Sequence, residues 1–189
     1  MLRHLPNLIT ALRILLVLPL CWLIDSGRYD GALVLAAIAA FSDALDGFLA
    51  KRFGWQSWIG GMLDPIADKL LLTATFVWLA LAGDLPGWLA ALVVGRDLAI
   101  VAGAIAYHNL VGPFDAAPSR LSKATTVVQL VFVLSELLRL SHWLMLPTSL
   151  RIALVTATAA TTVASGLHYI VVWSARARAA LQARREKKA

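Results

Sequence analysis

Cysteine, histidine and charge are all scarce in this sequence, and each shortage excludes a class of protein. The single cysteine, Cys21, permits no disulfide within the chain and no zinc cluster built from thiolates. The four histidines are scattered without paired spacing, which argues against a histidine metal site. Only 15% of the 189 residues are charged, whereas an ordinary soluble domain has about a quarter.

Apolar residues dominate instead, at 60% of the chain with a mean hydropathy of +0.76. They occur in long blocks, and a membrane-spanning helix needs about 20 mainly apolar residues. Six segments meet this length rule: Asn7–Ile24, Tyr29–Ala50, Pro65–Ala82, Pro86–His108, Leu121–Leu140 and Leu150–Trp173. The sequence therefore predicts an all-α integral membrane protein with six transmembrane helices.

The positions of the basic residues predict the orientation of these helices. Lys51 and Arg52 follow the second segment, and Arg120 and Lys123 begin the fifth. Since Lys and Arg favour the cytoplasmic side, we expect both termini and the connection between helices two and three to be cytoplasmic. This predicts a multi-pass protein of the cytoplasmic (inner) membrane, in which a site formed near that connection faces the cytoplasm.

The net charge of +6 is concentrated at the end of the chain, where six basic residues lie between Arg176 and Lys188. Such a segment is attracted to anionic lipid headgroups, and no alternation of aromatic and basic residues favours nucleic acid. We therefore predict a six-helix membrane domain over residues 1–174 and a basic cytoplasmic tail over residues 175–189.

Four aspartates lie in or beside two successive apolar segments, although an acid at the centre of a span costs about 2.5–3.5 kcal/mol. Asp43 and Asp46 are three residues apart, and Asp64 and Asp68 are four apart, so each pair shares a helix face. A short connection lets both pairs converge at the cytoplasmic side. Four facing carboxylates need cations between them, and hard oxygen donors select Mg²⁺, Mn²⁺ or Ca²⁺. Such ions often also bind substrate phosphates, which predicts a phosphorylated ligand.

Other interpretations of these acids exist. Asp64 before Pro65 has the pattern of a helix N-cap followed by proline at the first helical position. Intramembrane acids also mark ion pathways, so a cation transporter is the non-enzyme alternative. A transporter favours acids near the membrane midplane in broken helices, whereas these acids cluster toward one face.

The spacing of the aspartates and their neighbours resembles the CDP-alcohol phosphatidyltransferase motif, D-x2-D-G-x2-A-R-x8-G-x3-D-x3-D. The matching residues here are Asp43, Asp46, Gly47, Ala50, Gly60, Asp64 and Asp68, and Lys51 stands where the family has arginine. Lysine keeps the charge but lacks the bidentate fork of arginine. Similar features outside the motif include Gly95-Arg96-Asp97 and Ser122-Lys123.

The resemblance implies transfer of phosphatidyl from CDP-diacylglycerol to an alcohol with release of CMP, by a homodimer with two Mg²⁺ or Mn²⁺ ions. It implies metal binding by Asp43, Asp46, Asp64 and Asp68, with Asp68 also the general base. It implies CDP binding by Asp43, Gly47, Ala50, Lys51, Gly60 and Asp64.

Arg96, Arg120 and Lys123, with Arg13 behind them, are the candidate acceptor pocket. Relatives that use glycerol 3-phosphate typically carry Gly-Lys-x-Lys-Thr at the fifth helix, whereas this chain has Ser122-Lys123-Ala124-Thr125-Thr126. That string is closer to the Ser-Lys-x-Asn-Thr of cardiolipin synthases. We therefore expect phosphatidylglycerol as the acceptor, with glycerol 3-phosphate as the alternative.

Overall fold

The chain folds into a bundle of long helices. The computed structural model describes the backbone of residues 5–53, 58–111 and 119–186, and the side chains of residues 14–42, 69–107, 119–175 and 178. The helices are α1 (Leu5–Asp25), α2 (Tyr29–Phe53), α3 (Trp58–Leu81), α4 (Gly87–Val111), α5 (Arg120–Leu140) and α6 (Thr148–Glu186). The described residues contain no strand, so the predicted all-α class is confirmed for this part of the chain.

Glycines end α1 and α3 by the same backbone arrangement. Gly27 has a φ of +66° and Gly83 a φ of +84°, a left-handed conformation that costs glycine little. The amide of Gly27 donates to the Ile24 carbonyl, and the next amide donates to the Leu23 carbonyl at 2.8 Å. These bonds satisfy carbonyls that a helix end leaves without partners.

Three helices are long and apolar enough to cross a membrane within the described residues. These stretches are Gly87–Tyr107, Arg120–Leu140 and Thr148–Ala175. The first three helices contribute shorter apolar stretches, Ile14–Asp25, Tyr29–Ser42 and Lys69–Leu81. The helices are thus those of a multi-pass membrane protein, while the count of six spans and the side on which the termini lie remain predictions.

Large apolar side chains cover the outside of the bundle. Leu15, Leu18, Phe41 and Leu98 each expose more than 60% of their surface. A soluble monomer rarely exposes so much contiguous apolar surface. Lipid contact explains these positions.

The six described helices pack in a closed ring. Going round the ring, α1 contacts α2, α2 contacts α5, α5 contacts α6, α6 contacts α4, α4 contacts α3, and α3 returns to α1. A further contact joins α3 to α5 across the ring, where the Phe76 and Phe132 rings lie 5.8 Å apart. This packing places α3 beside three other helices.

The largest differences from the predicted segments are at the start of α3 and at the end of α6. α3 begins at Trp58 rather than at Pro65, so Asp64 and Pro65 lie within the helix and the N-cap interpretation of Asp64 is wrong. The turn-forming residues near the start misled the prediction, because membrane helices tolerate proline and glycine. α6 continues without interruption to Glu186, and the division into two domains near residue 174 stays a prediction.

Candidate functional site

The four aspartates lie in two helices whose ends meet at one end of the bundle. Asp43 and Asp46 belong to α2, which ends at Phe53, and Asp64 and Asp68 belong to α3, which begins at Trp58. At a rise of 1.5 Å per residue, Asp46 and Asp64 each lie about 10 Å from those ends, and Asp43 and Asp68 each lie about 15 Å from them. The two pairs are therefore matched in depth along their helices.

The structure leaves several predicted residues untested. The side chains of the four aspartates, Arg13, Gly47, Ala50, Lys51 and Gly60 lie outside the described residues. Their convergence and their predicted roles remain predictions. The described residues nearest to them give the geometry of the surroundings.

A partly open apolar cavity lies between α2, α3 and α5. From α2 and α3 its lining comprises Ala36, Ala39, Ala40, Leu71, Leu72 and Thr75. The α2 residues precede Asp43 by seven, four and three positions, and the α3 residues follow Asp68 by three, four and seven positions. Residues with these spacings share one face of a helix. The cavity is therefore lined by the next two turns of the helix faces that carry Asp43 and Asp68.

Asp97, in α4, is the centre of a polar network that reaches the part of α3 just after Asp68. Its Oδ1 accepts hydrogen bonds from Lys69 Nζ at 3.0 Å and Arg96 Nη1 at 2.6 Å, and its Oδ2 accepts one from Thr73 Oγ1 at 3.4 Å. Lys69 directly follows Asp68 in the chain. One carboxylate thus joins α3 to α4 beside the aspartate-bearing face.

Arg96 extends this network to α5 and α6. Its Nη2 donates to Ser122 Oγ at 2.6 Å and to Ser165 Oγ at 2.7 Å. Its side chain is only 3% exposed, and a buried guanidinium requires partners of this kind. In the described contacts Arg96 therefore acts as a cross-link between helices, and a contact with the acceptor stays a prediction.

The other described members of the predicted acceptor pocket lie in the first turn of α5. Arg120 and Lys123 are exposed and flank Ser122, the residue that Arg96 contacts. Ser119 caps this helix by accepting a hydrogen bond from the Ser122 amide at 3.1 Å. The structure thus brings Arg96 next to the turn that carries the two exposed cations, and an acceptor pocket formed by these residues stays a prediction.

Comparison with known proteins completes the description of the site. The sequence profile of the family described as CDP-alcohol phosphatidyltransferase matches residues 3–181. The chain belongs to this family. The protein is therefore a member of a transferase family involved in phospholipid synthesis, as the sequence resemblance predicted.

The relatives that the chain resembles include both cardiolipin synthases and glycerol-3-phosphate phosphatidyltransferases. The chain is 33% identical to the human cardiolipin synthase (CMP-forming) over 148 residues, which cover 70% of this chain and 49% of that protein. It is 34% identical over 154 residues to a chloroplastic CDP-diacylglycerol–glycerol-3-phosphate 3-phosphatidyltransferase of Oryza sativa, covering 72% and 46%. It is 40% identical over 106 residues to the enzyme of that name from Pseudomonas fluorescens, covering 52% and 53%. The chain spans about half the length of these relatives.

The sequence analysis missed two residues of the polar network around Arg96 and Asp97. Lys69 and Ser165 were not among its site residues, and Asp97 was noted only as a family feature. Lys69 carried a usable signal, since a lysine inside an apolar segment is costly without a partner. Ser165 carried none, because serine is common in the interfaces of membrane helices.

Proposed function

We propose that this phosphatidyltransferase moves phosphatidyl from CDP-diacylglycerol to an alcohol acceptor, releasing CMP, with Mg²⁺ or Mn²⁺ bound by Asp43, Asp46, Asp64 and Asp68. The family match over residues 3–181 carries this proposal. The equal depths of the two aspartate pairs and the cavity shared by their helix faces support it. Four carboxylates are also a donor set that fits a hard divalent cation.

In this mechanism the cations, the CDP-binding residues and Asp68 have separate roles. The bound cations supply charge stabilisation for the pyrophosphate. Gly47, Ala50 and Gly60 leave room for the cytidine, and Lys51 pairs with a phosphate of the CDP group. Asp68 accepts the proton of the acceptor hydroxyl, because a carboxylate within reach of that hydroxyl can act as a general base.

The proposed acceptor is phosphatidylglycerol, which gives cardiolipin. The string Ser122-Lys123-Ala124-Thr125-Thr126, which is closer to that of cardiolipin synthases, supports this choice. In addition, Asp97 already neutralises Arg96, which leaves less positive charge for a phosphate monoester with a charge near −2. The apolar cavity beside the aspartate-bearing faces suits an acyl chain of either lipid substrate, the donor or the acceptor.

The first prediction tests the metal site. Asp43→Asn, Asp46→Asn and Asp64→Asn should each abolish CMP release, since each replaces a charged ligand by a neutral group of similar size. CMP release from CDP-diacylglycerol is measured with purified protein, with phosphatidylglycerol and Mg²⁺ or Mn²⁺ present. Asp84→Asn is the matched control, because Asp84 accepts a hydrogen bond from Tyr29 at the other end of the bundle. Near-normal turnover in all three site variants would show that the site is elsewhere.

The second prediction separates the acceptors. Purified protein supplied with CDP-diacylglycerol should form cardiolipin from labelled phosphatidylglycerol at a rate well above its conversion of labelled glycerol 3-phosphate. Arg120→Gln and Lys123→Gln should weaken binding of either anion, because both remove an exposed cation near the entrance from water. Efficient use of glycerol 3-phosphate with phosphatidylglycerol inert would reverse the choice of acceptor and leave the family assignment intact.

A further inference from the structure

The Lys69 ammonium is a positive charge placed next to residues proposed to bind metal. It follows Asp68 directly and its side chain is 36% exposed. A lysine has a flexible four-carbon stem and a compact charge. Without a partner, this ammonium could pair with the nearby aspartate carboxylates and so compete with a divalent cation for them, because opposite charges attract strongly outside bulk water.

Asp97 supplies the partner that prevents this competition. Its carboxylate, 17% exposed, binds Lys69 Nζ at 3.0 Å from the neighbouring helix α4. Thr73, one turn beyond Lys69 in α3, donates to the other carboxylate oxygen. The contacts hold the ammonium against α4.

Asp97 is itself fixed in place by Arg96. The guanidinium binds Asp97 Oδ1 at 2.6 Å and is anchored by hydrogen bonds to Ser122 and Ser165. Since Asp97 accepts bonds from three donors, it is committed to these contacts rather than to a cation. The series of contacts from Ser165 to Lys69 thus joins α6, α4 and α3.

We propose that Asp97 is a positioning residue that holds the Lys69 ammonium away from the metal-binding aspartates. The inference rests on the proposed metal site. Its consequence is that the charge of Asp97 raises the affinity of the site for a divalent cation without contacting the cation. Replacement of Asp97 should then weaken the binding of a divalent cation only while Lys69 is present.

A double-variant cycle tests this dependence by direct Mn²⁺ binding. The free Mn²⁺ signal in electron paramagnetic resonance gives the Kd for purified protein in detergent. Asp97→Asn should raise the Kd about tenfold, the lower end of the effect of losing an outer-shell partner. Asp97→Asn combined with Lys69→Met should return the Kd to within about twofold of Lys69→Met alone, since no unpaired ammonium remains.

Glu136→Gln is the matched control for loss of a buried acid. Glu136 is also bound by two cationic side chains, Arg139 and Arg151, but it lies toward the other end of α5. This variant should lower the temperature of unfolding and leave the Kd for Mn²⁺ unchanged. Asp97→Glu should restore most of the affinity, because it keeps the charge.

The outcomes separate the inference from the proposed function. If the Kd for Mn²⁺ is still about tenfold higher in the double variant, Asp97 acts through Arg96 and helix packing. That result would overturn the proposal. An unchanged Kd in Asp97→Asn would do the same while leaving the metal site intact. Absence of Mn²⁺ binding by the unaltered protein would instead refute the metal site on which the inference rests.

Discussion

Buried charged side chains in the described helices are paired with partners on other helices. Glu136 is 1% exposed and accepts hydrogen bonds from Arg139 at 2.9 Å and from Arg151 at 2.9 Å. Arg151 also donates to the Asp84 carbonyl at 3.2 Å. Both arginines are about one third exposed, so removing either one destabilises the fold chiefly by leaving the buried Glu136 carboxylate with less compensating charge. These residues therefore fix helix positions at the end of the bundle away from the aspartates.

The third prediction belongs to a single residue, Asp68. Asp68→Asn keeps an oxygen that can coordinate a cation but cannot accept a proton. Because Asp68 is the proposed general base, this substitution should lower kcat by about 10²-fold or more. CDP-diacylglycerol and metal should still bind to the variant. Steady-state kinetics of CMP release at increasing Mg²⁺ measure the effect. Recovery of most activity at high Mg²⁺ would assign Asp68 to metal binding alone.

At the scale of helices, hydrogen bonds join α5 to α6 along a buried polar seam. Gln129 Nε2 donates to Thr162 Oγ1 at 3.0 Å, and Thr125 Oγ1 donates to the Thr161 carbonyl at 3.1 Å. Hydrogen bonds between membrane helices contribute about 0.6 kcal/mol each on average. The seam therefore fixes the relative rotation of the two helices more than it stabilises them. It keeps Ser122 and Ser165 facing Arg96.

The fourth prediction concerns the cavity between α2, α3 and α5. Ala39 is 3% exposed and lines this cavity, so Ala39→Phe should fill space proposed for an acyl chain. We expect the KM for CDP-diacylglycerol or phosphatidylglycerol to rise about tenfold, within the usual range for overpacking. Kinetics with each lipid varied in turn measure the change.

A neighbouring residue provides the control for this variant. Ile38 is 57% exposed, so Ile38→Phe adds an aromatic ring on the outer surface of the same helix and should leave both KM values near normal. Equal effects of the two substitutions would indicate a general disturbance of α2 rather than a filled binding site.

For the whole molecule, the exposed apolar surface requires a lipid or detergent environment, and the ring of helices defines two ends. One end carries the connection between α2 and α3, and the other carries the start of α6 at Thr148. The proposed substrates reach the aspartates at the first of these ends. Its location on the cytoplasmic side is still to be tested.

The fifth prediction tests that topology. Cys21 is buried and is the one cysteine of the chain, so Cys21→Ser gives a background without thiols. Ser57→Cys should then react with a membrane-impermeant maleimide only from the cytoplasmic side, because the connection between α2 and α3 is predicted to lie there. Ser149→Cys should react only from the opposite side. Labelling of both from one side would contradict the predicted topology.

The sequence by itself determined the features that depend on neighbours along the chain. Turns at Gly27 and Gly83 were predictable because the conformation of a turn depends on a few adjacent residues. The spacing of Asp43 with Asp46, and of Asp64 with Asp68, was sufficient to predict shared helix faces and the family. The start of α3 was missed, since proline and glycine are weaker stop signals in a membrane helix than in a soluble one.

Only the tertiary structure decided which distant residues meet. Lys69 and Asp97 are 28 residues apart, and Arg96 and Ser165 are 69 apart. Helical periodicity assigns each of them a face on its own helix, but it specifies neither the order of helices in the ring nor their rotation. Those depend on the packing of all six helices at once. For this reason the aspartate motif and its family could be predicted from the sequence, whereas the network that we propose holds Lys69 away from the aspartates could not.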